Sequence, residues 1–213
     1  MFLVINARMR RLWGGLFSSR DRVLDVGCGD HPSYHRFIPG GIVCADKAAS
    51  AKAHVLSDAH ALPFRDSSFD GLVCVNSLYY YADSRSAIKE FSRVLRKRGK
   101  MILVSPFIYP LHDAPEDKYR FTEYGLRELL RKEFVVERIV PVGGVFSVGV
   151  VMVHSLRKGI PLLVPGKMRR VVCGLCALVF FIPALFAETF SLLDALDRTG
   201  RWPVYYFTVA RRK

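Results

Sequence analysis

The sequence predicts an α/β fold: a seven-stranded, mostly parallel sheet with helices on both faces, and an apolar helical insertion between the sixth and seventh strands. Three observations predict it. Seven short apolar runs alternate with helical patterns, as in sheets covered by their own crossover helices. The first run, VLDVGCGD at residues 23–30, passes directly into a Gly-x-Gly turn, a backbone suited to close approach by a ligand. Finally, VVCGLCALVFFIPALFA, residues 171–187, has no charged residue.

Residues 1–20 read as an N-terminal amphipathic helix. Phe2, Leu3, Ile5, Met9, Leu12 and Trp13 fall at roughly helical spacing beside Arg8, Arg10 and Arg11. Such a helix can lie at a membrane surface or cover a sheet edge. No basic region leads into a long apolar core, so no signal peptide is expected here. The strands are expected at Val23–Gly27, Gly41–Asp46, His54–Leu56, Gly71–Asn76, Met101–Ser105, Val135–Val140 and Val204–Ala210. The fourth and fifth are almost wholly apolar, as in strands covered on both faces. Ile88, Phe91, Val94 and Leu95 mark one face of a helix that is expected to end at Gly99, with Arg96, Lys97 and Arg98 in its last turn. A further helix follows Thr122, with Leu126, Leu129 and Leu130 on one side. The sheet domain is therefore placed at 21–142 and 201–213, and the insertion at 143–200.

The chain of 213 residues suffices for one buried domain with an elaboration. Hydrophobic residues make up 51% and charged residues 24%, which excludes a disordered chain. A net charge of +13 favours anionic partners: nucleic acid, anionic lipid or a phosphorylated substrate. The five cysteines, Cys28, Cys44, Cys74, Cys173 and Cys176, form no disulfide-like framework, which suits a reducing compartment. Cys173 and Cys176 make a lone CxxC inside an apolar run and read as packing. No metal-ligand set is expected.

The Gly-x-Gly turn narrows the chemistry. A dinucleotide site calls for a third glycine opening a helix, but here GCGDHP places Pro32 near that position. Asp25 precedes the turn and Asp30 follows Gly29. Carboxylates repel phosphates and suit a ligand with amine and sulfonium charges. VLDVGCGD resembles the first motif of class I (type 11-like) S-adenosylmethionine (SAM)-dependent methyltransferases. SDAHALPFRDSSFD at 57–70 is similar to that family's "D-A-x-x-L-P-F-x-D-x-S-F-D" segment, LVCVNSLYYY at 72–81 to its fourth strand, and FSRVLRKRGKMILVSP at 91–106 to its "R-V-L-K-P-G-G" helix and strand. The resemblance covers about residues 22–140 and the last strand, and implies a Rossmann-like fold with SAM as cofactor. It implies cofactor-binding roles for Asp25 at the amino group, Gly27 and Gly29 beside the methionine portion, Asp46 at the ribose hydroxyls, Asp58 and the Ala59 backbone at the adenine, and Asn76 at the fourth strand's exit. Where the family often has a histidine, Tyr79, Tyr80 and Tyr81 stand; Tyr79 is taken as a substrate contact.

The segment SPFIYPLHDAPEDKYRFTEYGL, residues 105–126, should hang over the methyl donor. It resembles the "H-x-x-P-x-D-x-x-R-[FY]-T" stretch of methyltransferases linked to bacterial cell-surface glycan pathways. His112 is the candidate general base, and Tyr119 and Arg120 are candidate substrate contacts. The alternative is a plain cap on the sheet, pinned by Tyr119 and Arg120. In the insertion, a seventeen-residue helix would span only about 25 Å. A single crossing would also strand VYYFTVA on the wrong side of a membrane. Monotopic docking on the cytoplasmic face is expected instead, with Lys158, Lys167, Arg169 and Arg170 toward anionic lipids and Trp202, Tyr205 and Tyr206 as interfacial aromatics. Internal packing or a homodimer interface is the alternative. The expected function is methyl transfer to a lipid-linked glycan hydroxyl, a quinone precursor or a similar amphiphilic acceptor. A nucleic-acid methyltransferase is disfavoured because Asn76 is followed by Ser, Leu and Tyr rather than Pro-Pro-aromatic. A non-catalytic scaffold would not need acids at 25, 46 and 58.

Overall fold

The structure is a computed structural model describing residues 3–30, 32–49, 52–166, 168–197 and 199–213. Phe2 and Lys167, named above as membrane-facing, lie outside the described residues. The chain divides into two units: Arg10–Phe107, Asp113–Val140 and Tyr206–Lys213 form a sheet unit; Met1–Met9, Ile108–His112 and Pro141–Tyr205 form an apolar unit.

The sheet has seven strands: β1 (Arg22–Val26), β2 (Gly41–Asp46), β3 (Val55–Leu56), β4 (Phe69–Val75), β5 (Leu95–Pro106), β6 (Phe134–Val142) and β7 (Tyr205–Arg212). Their order is β3-β2-β1-β4-β5-β7-β6. β1 lies parallel to β2 and β4, with Asp25 opposite Cys44 and Val73, and β4 lies parallel to β5. β7 runs antiparallel to β6: the N–H of Val204 donates to Val142 O (2.9 Å) and that of Lys213 to Glu133 O (3.1 Å). Val23, Leu24, Leu72, Val73, Ile102 and Leu103 are fully buried, so the central strands are covered on both faces.

The helix α1 (Leu3–Trp13) ends in the sheet unit. Trp13 stacks on Tyr34 (centroids 5.5 Å, 9° between planes) and meets Phe207 edge-on (5.4 Å). This favours the sheet-covering reading for that end of the helix. Helix α2 (Ser84–Val94) begins where the Asp83 carboxylate accepts the N–H groups of Arg85 and Ser86. Its apolar stripe buries Ile88 and Phe91. The helix does not run on to Gly99. It stops at Val94 because the buried Leu95 pairs in register with Phe69 of β4, so Arg96, Lys97 and Arg98 already belong to β5. Helix α3 (Glu123–Leu130) starts at Thr122, whose hydroxyl accepts the Gly125 N–H (3.0 Å), and it buries Leu126 and Leu130.

The apolar unit holds helices α4 (Val145–Gly159), α5 (Met168–Val179) and α6 (Phe181–Phe190), with 3-10 turns at Ile160–Leu163 and Ser191–Leu196. Asp194 caps α4 from the last turn, accepting the N–H groups of Phe146 (3.0 Å) and Ser147 (3.3 Å) and the Ser147 hydroxyl. The uncharged stretch 171–187 is not one straight helix. It breaks at Phe180, and the two arms are bent by 45°. Pro183 has no N–H to offer the Val179 carbonyl, which opens the ladder there. By length and composition Val145–Leu163 could cross a membrane, although 33% of that window is buried. Leu178, Phe181, Ile182, Phe186 and Leu196 are each more than half exposed. Cys173 and Cys176 are free thiols, the first exposed and the second buried.

Candidate active site

The cavity is built where β1, β2 and β4 end, at the carboxyl edge of the parallel strands, where ligands bind in open α/β sheets. Past Val26 the chain turns through Gly27 (φ 74°) and Gly29 (φ 59°). The Gly27 N–H donates to Ala45 O (2.8 Å), and Ser77 Oγ donates to Val26 O (3.0 Å). A Cβ on Gly27 would lie 2.3 Å from Ser77 Oγ, so the turn is closed to any larger residue. Asp46 ends β2. Its Oδ2 accepts the Gly29 N–H (2.9 Å) and its Oδ1 the Ala48 N–H (2.9 Å), leaving acceptor capacity on both oxygens. Asp58 Oδ1 takes the His60 backbone N–H (2.9 Å) and pairs with His60 Nδ1. These bonds, the backbone one foremost, hold the Asp58 carboxyl below its ordinary range. Together with Ala59, Asn76, Ser77, Tyr80 and Tyr81 these residues line a cavity of about 840 Å³, ample for a nucleoside-sized ligand.

Six of the seven residues assigned to the cofactor by resemblance therefore meet in one cavity: Gly27, Gly29, Asp46, Asp58, Ala59 and Asn76. Asp25 departs from its assignment. It is fully buried beneath the turn and does not line the cavity. Its Oδ2 accepts from Tyr34 Oη (2.7 Å) and pairs with His35 Nε2 (2.6 Å), which ties β1 to the turn at Ser33–Phe37. Burial pushes its carboxyl pKa up, and the two hydrogen bonds only partly offset this. Its Oδ1 has no hydrogen-bond partner among the described residues. The donor atoms of Asp25, His35 and Cys44 also lie within 4.8 Å of one another, a grouping of metal-ligand types that the sequence reading had not found.

Tyr80, Asp113, Glu116 and Lys118 also line the cavity. Tyr80 Oη donates to Asp113 Oδ2 (2.8 Å) and accepts from Tyr79 Oη (2.9 Å). The Lys118 ammonium pairs with Glu116 (2.7 Å). Tyr79, Tyr119 and Arg120, expected as substrate contacts, do not line the cavity; their polar ends are bound elsewhere. Arg120 grips Asp117 with both terminal nitrogens and lies over the Tyr79 ring, 5.4 Å from its centroid. Tyr119 Oη donates to Ala82 O (3.0 Å). His112 is exposed and belongs to the Ile108–His112 segment of the apolar unit. Sequence reasoning assigned no role to Ser77, His60 and Lys118, and gave none to Tyr80, Tyr81 and Asp113 beyond noting them; Ser77, Tyr80 and Tyr81 follow the end of β4, while Asp113 and Lys118 lie well past β5 in the loop before α3.

The fold and cavity define a class, the Rossmann-like fold of methyltransferases. Residues 24–103 match the family described as "Methyltransferase domain"; such domains draw the methyl group from SAM. O-methyltransferase resE of Aspergillus sclerotiorum is 30% identical over 141 residues, 56% of this chain and 53% of that protein. The chain spans between 21% and 63% of the length of seven such curated relatives. Among solved structures, the [4+2]-cyclase SpnF superposes with a TM-score of 0.62 at 19% identity, covering 96% of this chain and 80% of that one. Geranyl diphosphate C-methyltransferase of Streptomyces coelicolor A3(2), solved with S-adenosyl-L-homocysteine, gives 0.59 at 15% identity, covering 98% and 78%.

Proposed function

We propose that this protein is a SAM-dependent methyltransferase that docks on the cytoplasmic face of a membrane and methylates a hydroxyl of an amphiphilic acceptor, a lipid-linked glycan before a free lipid. One observation carries the first part: a positive-φ glycine turn and two separate acids, Asp46 and Asp58, line one cavity at the carboxyl edge of the sheet. The donor set suits a cationic nucleoside. Asp46 keeps room to accept from two ribose hydroxyls, Asp58 and the Ala59 backbone face the adenine, and the Gly27–Gly29 turn admits the methionine chain. Asp25 acts from below by holding that turn in place. SAM supplies an electrophilic methyl group on a sulfonium. The chain's own task is to orient the acceptor and take its hydroxyl proton. In our reading Asp113, held by Tyr80 at the cavity wall, is better placed for that proton than His112. The match to an O-methyltransferase over much of the domain supports oxygen as the acceptor atom. The exposed apolar faces of α5 and α6 support a membrane-borne substrate.

Calorimetry with SAM tests the cofactor site. Asp46→Ala should weaken binding by about ten- to a hundredfold, since hydrogen bonds to a charged group contribute roughly 1.5–3 kcal/mol. Unchanged affinity in that variant rejects the assignment. Incubation with labelled SAM and a membrane lipid extract then identifies the acceptor by the species that becomes labelled.

A further inference from the structure

Beneath the Gly27–Gly29 turn, three residues of metal-ligand type converge from three elements: Asp25 on β1, His35 in the turn Ser33–Phe37 and Cys44 on β2. One donor atom from each lies within 4.8 Å of the other two. Strand register explains part of this. Asp25 and Cys44 are direct partners across the parallel pair β1–β2, so their side chains leave the sheet on the same face. His35 joins them through its Nε2, 2.6 Å from Asp25 Oδ2. Two observations set the group apart from an ordinary buried pair. First, Asp25 is fully buried and its Oδ1 has no hydrogen-bond partner among the described residues, whereas buried polar atoms nearly always have one. Tyr34 and His35 both use Oδ2, so Oδ1 is the oxygen still open to a cation. Second, the charges balance. A carboxylate and a thiolate together neutralise a divalent ion, which avoids the large cost of an unpaired charge in the interior.

We infer that Asp25, His35 and Cys44 form a binding site for a zinc ion. Carboxylate, imidazole and thiolate are its usual donors, at about 2.0–2.3 Å. A thiolate disfavours magnesium and calcium, which take oxygen ligands. Donors on one tetrahedral ion stand roughly 3.3–3.8 Å apart at those bond lengths, inside the observed spread. On binding, Cys44 loses its proton to solvent, while His35 keeps one proton on Nδ1 and turns Nε2 to the ion. Asp25 exchanges its contact with His35 for one with the ion and retains Tyr34. The fourth corner is left to water or to the Cys28 thiol, which hydrogen-bonds to Cys44. The His35 side chain is 22% exposed, which gives the ion a way in. Asp25 does not line the larger cavity, so the ion ties β1, β2 and the turn Ser33–Phe37 together below it and takes no part in methyl transfer. The inference stands independently of the acceptor and membrane readings.

Cobalt(II) titration of the full chain, stripped with EDTA and held in a thiol-free reductant, tests it. About one equivalent should bind, with the intense near-ultraviolet charge-transfer band of a cobalt–thiolate bond, and zinc should bleach that band. His35→Gln and Cys44→Ser should each weaken zinc binding by about a hundredfold or more, since loss of even an outer-shell partner costs about 10–100-fold. Cys44→Ser should also abolish the band. Cys173→Ser, which removes the exposed thiol of α5, should change neither. Zinc should raise the melting temperature of the wild type and leave that of His35→Gln where it was. Circular dichroism confirms folding. Cys44 is buried, so the partly exposed His35 carries the test if Cys44→Ser does not fold. No band and no thermal shift at about 100 μM metal overturns the site. Zinc affinity unchanged in His35→Gln also overturns it. A band lost in Cys173→Ser assigns the metal to the Cys173–Cys176 pair and overturns it as well.

Discussion

At the scale of single residues, the acids of the cavity region are set apart by solvation. Asp58 lines the cavity and accepts the His60 backbone N–H, which favours its charged form. Asp25 is buried, and its pKa is raised. Raising a carboxyl pKa in the folded state means that ionisation disfavours folding. The metal-free wild type should therefore lose stability as pH climbs above the ordinary aspartate value of 3.8 toward the raised folded value. Asp25→Asn keeps an acceptor for Tyr34 and His35 and has no such ionisation. The difference in melting temperature between variant and wild type should thus shift in favour of Asp25→Asn from pH 4 upward. A difference that stays flat with pH would mean that Asp25 is not buried as described. The proton acceptor is separable in the same way. Asp113→Asn should lower turnover by about a hundredfold, the usual scale of a general base, while His112→Ala should leave it near wild type with SAM binding intact. The reverse pattern restores His112 as the base.

At the scale of elements, what the sequence could convey was periodicity. The alternating runs placed six strands to within two residues at each end, the fifth beginning six residues earlier than expected, and the stripe of Ile88, Phe91 and Val94 placed α2. Legibility failed where a local pattern fits two structures. LRKRG is as good a helix end as a strand start, and only the pairing of Leu95 with Phe69, across the sheet, decides it. The Asp194 cap on α4 joins residues far apart in sequence, so no local window contains it. The cavity wall was half legible. The glycine turn and acids form motifs, whereas Tyr80 comes from a single 3-10 turn and Asp113 and Lys118 from irregular loop, none of which has a period. The loop carrying Asp58 is held by another non-local device. Arg93 of α2 donates to Leu62 O (2.9 Å) and Phe64 O (2.7 Å) and pairs with Glu90 and Asp66. Arg93→Ala leaves two carbonyls and Glu90 without that partner. Partly buried charge-assisted bonds of this kind should cost about 2–3 kcal/mol in sum. The same variant should weaken SAM binding through the displaced loop, whereas Arg127→Ala, on the exposed face of α3, should change neither denaturation midpoint nor affinity.

At the scale of the whole molecule, the chain combines a sheet unit carrying the cavity with an apolar unit carrying the exposed hydrophobic helices. The likeness of its fold to both a C-methyltransferase and a [4+2]-cyclase shows how little the sheet alone decides chemistry. The apolar unit is where this chain's distinct behaviour should reside, and its excision is geometrically simple. Val142, the last residue of β6, bonds to Val204 at 2.9 Å, so the two chain ends already stand at hairpin distance. Replacing residues 143–203 with Asn-Gly, a pair that favours the tight turns of two-residue hairpins, should reconnect β6 to β7 while removing α4, α5 and α6 together. If those helices dock the protein, the excised chain should move from the membrane fraction to the supernatant without detergent and retain SAM affinity, because none of the residues lining the larger cavity is removed. An excised chain that binds SAM and still sediments with membranes would place the attachment outside the helices. One that is soluble when the intact protein is also soluble, with the intact protein dimeric and the excised one monomeric in light scattering, would assign the apolar faces to a second copy of the chain.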